Sequence, residues 1–322
     1  MLVISGDDLH TVSGIAAKVG VEGAERFVDA TTLKTESDVG RALVCDSVFG
    51  RVRPEQKKQF VLALQKAGHA VAMTGDGVND TLALKAADCS IAMASGSDVA
   101  RNVAQLVLVD NDFASMPKVV AEGRRSINNL QRSASLFLVK TLLSIAAALL
   151  FIAAPWQYPF QPIQMTLISA FTIGIPSFVL ALEPNRERIR GRFLGNVIVR
   201  SIPGAVCSVC CILVANVVGY YLMGLDYEQV SALCVLLTSW IGCSLVVRLS
   251  MPFTAIRSAL LVVVVGGIAG TCLLMPNVFC IAPFTPGMWM LYIIVAAIFA
   301  VAFHALDLKL ETLHAVRIRE SE

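Results

Sequence analysis

Two kinds of hydrophobic pattern divide the chain. Up to about residue 112, short apolar runs of strand type alternate with stretches of helical period, the order of a doubly wound parallel α/β sheet. Leu2-Val3-Ile4 predicts a strand. Asp8 to Val19 predicts a helix with Leu9, Val12, Ile15, Ala16 and Val19 on one face, stopped by Gly20. A weaker unit follows at Phe27-Val28 and Ser37–Val44, then a strand at Val48-Phe49-Gly50. Pro54 suits the first turn of a helix reaching Ala67. Ala70–Met73, Ser90–Met93 and Leu106–Asp110 predict further strands, separated by helices at Thr81–Ala87 and Ser97–Ala104.

From Ala114 the pattern changes. One long helix is expected whose first half is polar and basic (Lys118, Arg124, Arg125, Asn128, Asn129, Arg132) and whose second half is apolar enough to span a bilayer. The expected organisation is an α/β domain over 1–112, a cytoplasmic stalk helix over 113–132 and six membrane helices within 133–306. The spans are placed near 133–154, 162–182, 197–222, 230–249, 257–275 and 287–306, with a tail over 307–322. Arginine and lysine occur only in alternate connections: Arg186, Arg188, Arg190 and Arg192, then Arg248 and Arg257, then Lys309, Arg317 and Arg319. The positive-inside rule puts those connections, the tail and the α/β domain in the cytoplasm, and the expected location is a bacterial plasma membrane.

Composition agrees, with 56% hydrophobic and 16% charged residues. The net charge of +2, with no basic block interleaved with aromatics, argues against a nucleic-acid partner. Cys207 and Cys210 have metal-ligand spacing, yet they lie inside an apolar helix without a second pair, so the nine cysteines read as packing residues. The first residues do not form a signal peptide: the apolar run is short and meets Asp7 and Asp8 at once. A chain that opens on an internal-type strand is expected to be part of something longer.

Candidate chemistry centres on Thr74-Gly75-Asp76-Gly77-Val78-Asn79-Asp80, read as strand, tight turn and helix start. Gly75 and Gly77 let backbone amides approach an anion. Asp76, at the carboxyl end of its strand, is placed to hold Mg²⁺, with Asp80 one helical turn later as a second candidate ligand or a support for Asn79. Ser5-Gly6-Asp7 ends the first strand before a helix, offering a hydroxyl and amides or simply an N-cap. Lys57, near a helix start, can neutralise phosphoryl charge or be a solvated lysine. Pro176, within an apolar helix, is expected to unwind or kink it, either as part of an ion site or as a kink relieved by packing.

The string from Thr74 to Asp80, continued through Leu82–Asp88 to Ile91-Ala92-Met93 and Gly96, resembles the hinge motif of P-type cation-transporting ATPases, members of the haloacid-dehalogenase superfamily. Ser5-Gly6-Asp7 resembles their second phosphate-binding motif, Pro54-x-x-Lys57 their lysine motif, and Arg124–Gln131 the start of their fifth membrane helix. The resemblance implies that Asp76 binds Mg²⁺, that Asn79 and Asp80 support the phosphoryl site, that Ser5, Gly6, Asp7 and Gly75 contact the phosphoryl group, and that Lys57 neutralises it. It implies ATP as the energy source, a transported cation, and six spans equivalent to the fifth to tenth of such a pump.

It also exposes departures. The family's Asp-Lys-Thr-Gly-Thr string, which carries the nucleophile, does not occur in these 322 residues, nor do the nucleotide-binding domain and the first four helices. The chain alone is therefore expected to be inactive, and its N-terminal counterpart, in cis or as a separate chain, becomes an expected partner. Calcium pumps offer carboxylate and amide ligands on the fifth and sixth helices; the corresponding positions here are Thr141, Ser144, Ser169 and Ile173. With Thr172 and Pro176 these outline a transport path in which Lys140 is the single charge. Two other readings are a non-catalytic membrane subunit or degenerate fragment, and a membrane-tethered phosphatase using Asp7.

Overall fold

A computed structural model describes residues 1–321, with side chains to residue 317. It divides into two compact units, Met1–Pro117 and Lys118 onward.

The first unit contains six short strands: β1 (Val3–Ile4), β2 (Phe27–Asp29), β3 (Val48–Gly50), β4 (Ala72–Thr74), β5 (Cys89–Met93) and β6 (Leu106–Leu108). The helices between them are α1 (Leu9–Lys18), α2 (Glu36–Cys45), α3 (Pro54–Lys66), α4 (Thr81–Ala86) and α5 (Asp98–Val103). All pairings are parallel, as expected. The strands form two three-stranded sheets, however, ordered β1-β3-β2 and β4-β5-β6, and not one continuous doubly wound sheet. What bridges them is α3. Its Phe60 packs with Phe49 of the first sheet and with Val39 and Ala42 of α2, while the adjacent Val61, about 100° round the helix, packs with Ala83 and Ala87 of the second half.

Local signals set the helix starts. Asp8 caps α1 by accepting from the His10 amide at 3.1 Å. Thr35 and Asp38 form a reciprocal capping box on α2, and Pro54 opens α3.

The second unit is helical. Helix α6 (Met116–Ala153) leads into it; α7 (Pro162–Ser169) and α8 (Ile175–Leu182) together make a second span. Helix α9 (Phe193–Val217) continues to Leu222, followed by α10 (Tyr227–Leu249), α11 (Ala255–Leu274) and α12 (Pro286–Ser321). Among the described residues, six helices are long and apolar enough to cross a membrane. Helix α10 is the centre of the bundle: 72% of its most apolar stretch is buried, against 22% for α11. Its buried side chains, mostly apolar with Ser231, Thr238 and Ser239 among them, are distributed around the helix, as a helix surrounded by others requires.

Two expectations change in detail. Pro176 does not unwind its span; the turn Ala170–Gly174 is π-helical, and the Ile175 amide donates to the Ala170 carbonyl five residues back. Proline cannot donate the usual bond to the carbonyl four residues earlier, and the widened turn just ahead of it keeps the helix continuous. The last helix also does not end near 306. It runs on because Asp307 and Glu311, one turn apart, both pair with Arg248 of α10, and His314 Nε2 lies 2.8 Å from Asn196 Oδ1 of α9.

One buried ionic cluster ties three segments together. Glu183, at the end of α8, accepts from Arg257 Nε at 2.6 Å and from the Thr254 hydroxyl at 3.0 Å, with Arg132 Nη1 of α6 at 3.7 Å. Asn129 donates to the carbonyls of Ala181 and Glu183 beside it. Both arginines and the glutamate are less than a tenth exposed. Removing the single carboxylate strands two buried cations, so Glu183→Gln is expected to cost roughly 3–5 kcal/mol. The check is a thermal-unfolding midpoint in detergent; an unchanged midpoint would show that the cluster carries no stability.

Candidate active site

Strand β4 delivers the chain to the turn, and the turn is shaped by contacts that only glycine permits. The Gly75 amide donates to the Ile91 carbonyl at 3.1 Å, extending the β4–β5 ladder by one residue. A Cβ on Gly75 would lie 2.6 Å from Asp80 Cβ, so this position needs glycine for space. The loop after β5 closes the other side: the Ser97 amide donates to the Asp76 carbonyl at 2.7 Å, and a Cβ on Gly96 would sit 2.8 Å from that oxygen. The backbone of Asp76 is thus clamped while its side chain remains exposed.

Asp80 faces inward. Its Oδ1 accepts from Lys57 Nζ at 2.6 Å, and its Oδ2 accepts from the Gly77 amide at 3.2 Å, closing a one-turn 3₁₀ helix over Val78–Asp80. Only 13% and 10% of the Lys57 and Asp80 side chains are exposed, so this pair is desolvated far more than a surface salt bridge. Lys57 and Asp80 belong to different sheets' connections, so the contact joins two motifs that are separate in sequence.

Ser5 and Asp7 form a tight local turn after β1: the Ser5 hydroxyl donates to Asp7 Oδ2 at 2.9 Å, and the Asp7 amide donates to Ser5 Oγ at 3.2 Å. The Val52 amide donates to the Ser5 carbonyl and the Arg51 amide to the Asp7 carbonyl, both at 2.9 Å. Gly6 and Asp7 are exposed. The helix cap here is Asp8, which leaves the Ser5–Asp7 amides outside the capping arrangement.

Arg51, not singled out by sequence pattern, adopts φ 54° and places its guanidinium 3.1 Å from Asp8 and 3.3 Å from Asp29. Left-handed backbone at a non-glycine residue costs energy and clusters at functional corners. The His10 amide and Arg51 hold the Asp8 carboxyl below its ordinary range; for Asp29 the Thr31 hydroxyl and amide contribute more than Arg51.

Among the described residues, Asp76 and Asn79 make no side-chain hydrogen bond or ion pair, and no three His, Cys, Asp or Glu side chains converge as a closed metal site. Mg²⁺ does not need such a cage, because it is usually held by one or two carboxylates, waters and phosphate oxygens. A free carboxylate at the carboxyl end of a parallel strand, on a clamped backbone, fits that donor set.

Within the helical unit, Lys140 and Thr172 do come together. They line a cavity of about 30 Å³, enough for about one water, with Ser208, Thr238 and Gly242 contributed by α9 and α10. The Thr238 hydroxyl is buried without a protein partner, whereas Thr172 Oγ1 donates to the Ile168 carbonyl at 2.7 Å. Thr141 is exposed on the outer surface and donates to the Phe137 carbonyl. Ser144, Ser169 and Pro176 lie on the same spans but do not line this cavity. Ser208 and Thr238 carry no local sequence signal, because a lone hydroxyl on an apolar helix is ordinary.

Residues 1–88 match the family model for haloacid dehalogenase-like hydrolases. Parallel α/β topology, a carboxylate turn at a strand's carboxyl end and an inward lysine are the features of that class. The probable cation-transporting ATPase exp7 of Streptococcus pneumoniae serotype 4 is 41% identical over 279 residues, 84% of this chain and 36% of that protein. The calcium-transporting ATPase CtpE of Mycolicibacterium smegmatis is 45% identical over 229 residues, covering 68% of this chain and 29% of its own length. CtpE of Mycobacterium tuberculosis is 46% identical over 247 residues, covering 71% and 30%. With these similarities over most of its length, the chain belongs to the P-type cation-transporting ATPases. It spans about a third of the length of these relatives.

The steric argument at the turn is open to test. Gly75→Ala is expected to destabilise the corner by about 1–3 kcal/mol through the clash with Asp80. Hydrogen–deuterium exchange should show faster exchange over 74–84 with the helical unit unaffected; unchanged protection would refute the close approach.

Proposed function

We propose that the chain supplies the Mg²⁺ and phosphoryl corner and six membrane helices of an ATP-driven cation pump, whose nucleophilic aspartate is provided by polypeptide outside residues 1–322. The observation that carries this reading is the largely buried Lys57–Asp80 pair, which fixes a cation on the same turn that carries the exposed Asp76 carboxylate at the end of β4. The sheet orders add support. The strands that carry the two phosphate-type motifs, β1 and β4, are both outer strands. A parallel strand lying between them would pair with each and would end next to both Ser5-Gly6-Asp7 and Gly75–Asp80.

The roles follow from chemistry. Mg²⁺ held by Asp76 would neutralise phosphoryl oxygens and orient the transferred group. Lys57 offsets charge that develops on the phosphoryl group, and Asp80 aims Lys57 while its second oxygen fixes the turn. The Gly6 amide and the Gly75 turn would offer hydrogen bonds to equatorial oxygens, joined by the Ser5 hydroxyl and Asp7 amide once these exchange their mutual hydrogen bonds for the phosphoryl group. Asn79, exposed in the one-turn 3₁₀ helix, is a further polar group for the phosphoryl site. In the membrane, the Lys140, Thr172, Ser208 and Thr238 cavity is the proposed waypoint for the cation. Its oxygens are hydroxyls, with no carboxylate in the lining, which is a weak set for a divalent cation. The charge-sorted connections support a cytoplasmic location for the arginine-bearing ends.

Calcium is the first cation to test, because the CtpE relatives are calcium-transporting ATPases. Reconstituted with the upstream polypeptide bearing Asp-Lys-Thr-Gly-Thr, the chain should support ATP-dependent uptake of calcium or a monovalent cation into proteoliposomes. Asp76→Asn should reduce the uptake rate by at least about a hundredfold, the scale of losing an electrostatic stabiliser of the transition state. Absence of uptake for every cation tried, or uptake indifferent to Asp76→Asn, would favour a non-catalytic membrane subunit.

A further inference from the structure

We propose that the helical unit carries a binding site for the phosphate headgroup of an anionic phospholipid, between α9 and α12 at the arginine-bearing end of the bundle. A cavity of about 230 Å³ opens there, lined by Asn196, Val199, Arg200, Glu311, His314 and Ala315. Arg200 sits within a membrane-length helix, is half-buried, and makes no ion pair or hydrogen bond among the described residues. Glu311, the one carboxylate in the lining, forms its ion pair with Arg248, which also holds Asp307, so it acts on Arg200 only at a distance and makes no direct contact with it among the described residues. A guanidinium left free in a cavity at a membrane boundary selects for phosphate, which its planar fork can bind through two oxygens.

The chain around the cavity is arranged to reinforce that charge. Asn196 is the junction: its side-chain nitrogen donates to the Arg190 carbonyl at 2.9 Å, and its oxygen lies 2.8 Å from His314 Nε2. This fastens the connection before α9 to the mouth of the cavity. That connection carries Arg186, Arg188, Arg190 and Arg192, all exposed, against the single acid Glu187 between them. Exposed juxtamembrane arginines attract anionic lipid by about 1 kcal/mol each, and basic pockets between membrane helices take phosphate headgroups. Gly195 allows the close packing that forms the pocket wall, since a Cβ there would come within 3.2 Å of the His314 ring. The occupant has its charge at the arginines and its acyl chains along the apolar flank of α9, where Leu194 and Ile198 are exposed.

The full chain, reconstituted in phosphatidylcholine vesicles doped with phosphatidylglycerol and extracted in mild detergent, can be examined by native mass spectrometry. One phosphatidylglycerol should be retained per chain. Arg200→Gln should lower its retention about fivefold at matched lipid content, the effect of one juxtamembrane charge. Arg200→Lys should retain most of it. Ala315→Phe, which fills the cavity with its charges intact, should also displace it, while Arg317→Gln on the exposed face should not. Unfolding midpoints close to the parent's keep a loss of lipid distinct from a loss of fold. Parent-like retention in both Arg200→Gln and Ala315→Phe would overturn the proposal. Displacement of the lipid by inorganic phosphate in solution would reassign the site to a free anion.

Discussion

The contact between Lys57 and Asp80 is the constraint around which the α/β unit is organised. It joins the start of α3 to the turn after β4 across a near-dry gap of 2.6 Å, and both side chains are nearly enclosed. Burying such a pair is costly unless its remaining donors and acceptors are met. Here the second Asp80 oxygen is met by the Gly77 amide, so the pair and the turn stabilise each other. The glycine at 75 exists to admit Asp80, and the loop through Gly96 and Ser97 exists to hold Asp76 while that happens. What remains free after these demands is the Asp76 carboxylate. The most reactive-looking group in the corner is therefore the one the scaffold leaves without a partner.

The same logic of one anion shared among several elements recurs in the helical unit. Glu183 fixes α6, the end of α8 and the start of α11, and Asp307 with Glu311 fix α12 to α10 through Arg248. All of these charges lie at the arginine-bearing ends, leaving the interior of the bundle to apolar packing, hydroxyls and the buried amides of Gln164 and Asn216. The interior exception is Lys140, in a cavity with room for about one water. Helix α6 runs unbroken for 38 residues.

Much of this was legible in the sequence, and the limits are physical. Strand β3, helix α3 and the turn at 74–80 could be read because local chemistry specifies them: apolar runs, Pro54 at a helix start, and two glycines about an aspartate. The six spans were readable because bilayer thickness imposes a length. The split of the strands into two sheets was not readable, since alternating β and α patterns state parallel pairing but not which strands become neighbours. Glu183 escaped notice because its partners, Arg132 and Arg257, lie far away along the chain, and a glutamate before a proline looks like a loop. The π-helical turn ahead of Pro176 replaces the expected break because packing around Thr172 and Ile173 keeps the backbone helical. The last helix outruns its apolar stretch because ion pairs, not hydropathy, carry it past residue 306.

The 74–80 corner and Lys57 are proposed to form one half of a phosphoryl site completed from outside this chain. The most direct test is acid-quenched labelling with γ-labelled ATP and Mg²⁺ of the chain assembled with its upstream polypeptide. The label should appear as an acid-stable, hydroxylamine-sensitive acyl phosphate on the upstream polypeptide, and it should be lost with Asp76→Asn or Lys57→Ala. Label on this chain, or label on the upstream polypeptide that survives both substitutions, would contradict the account.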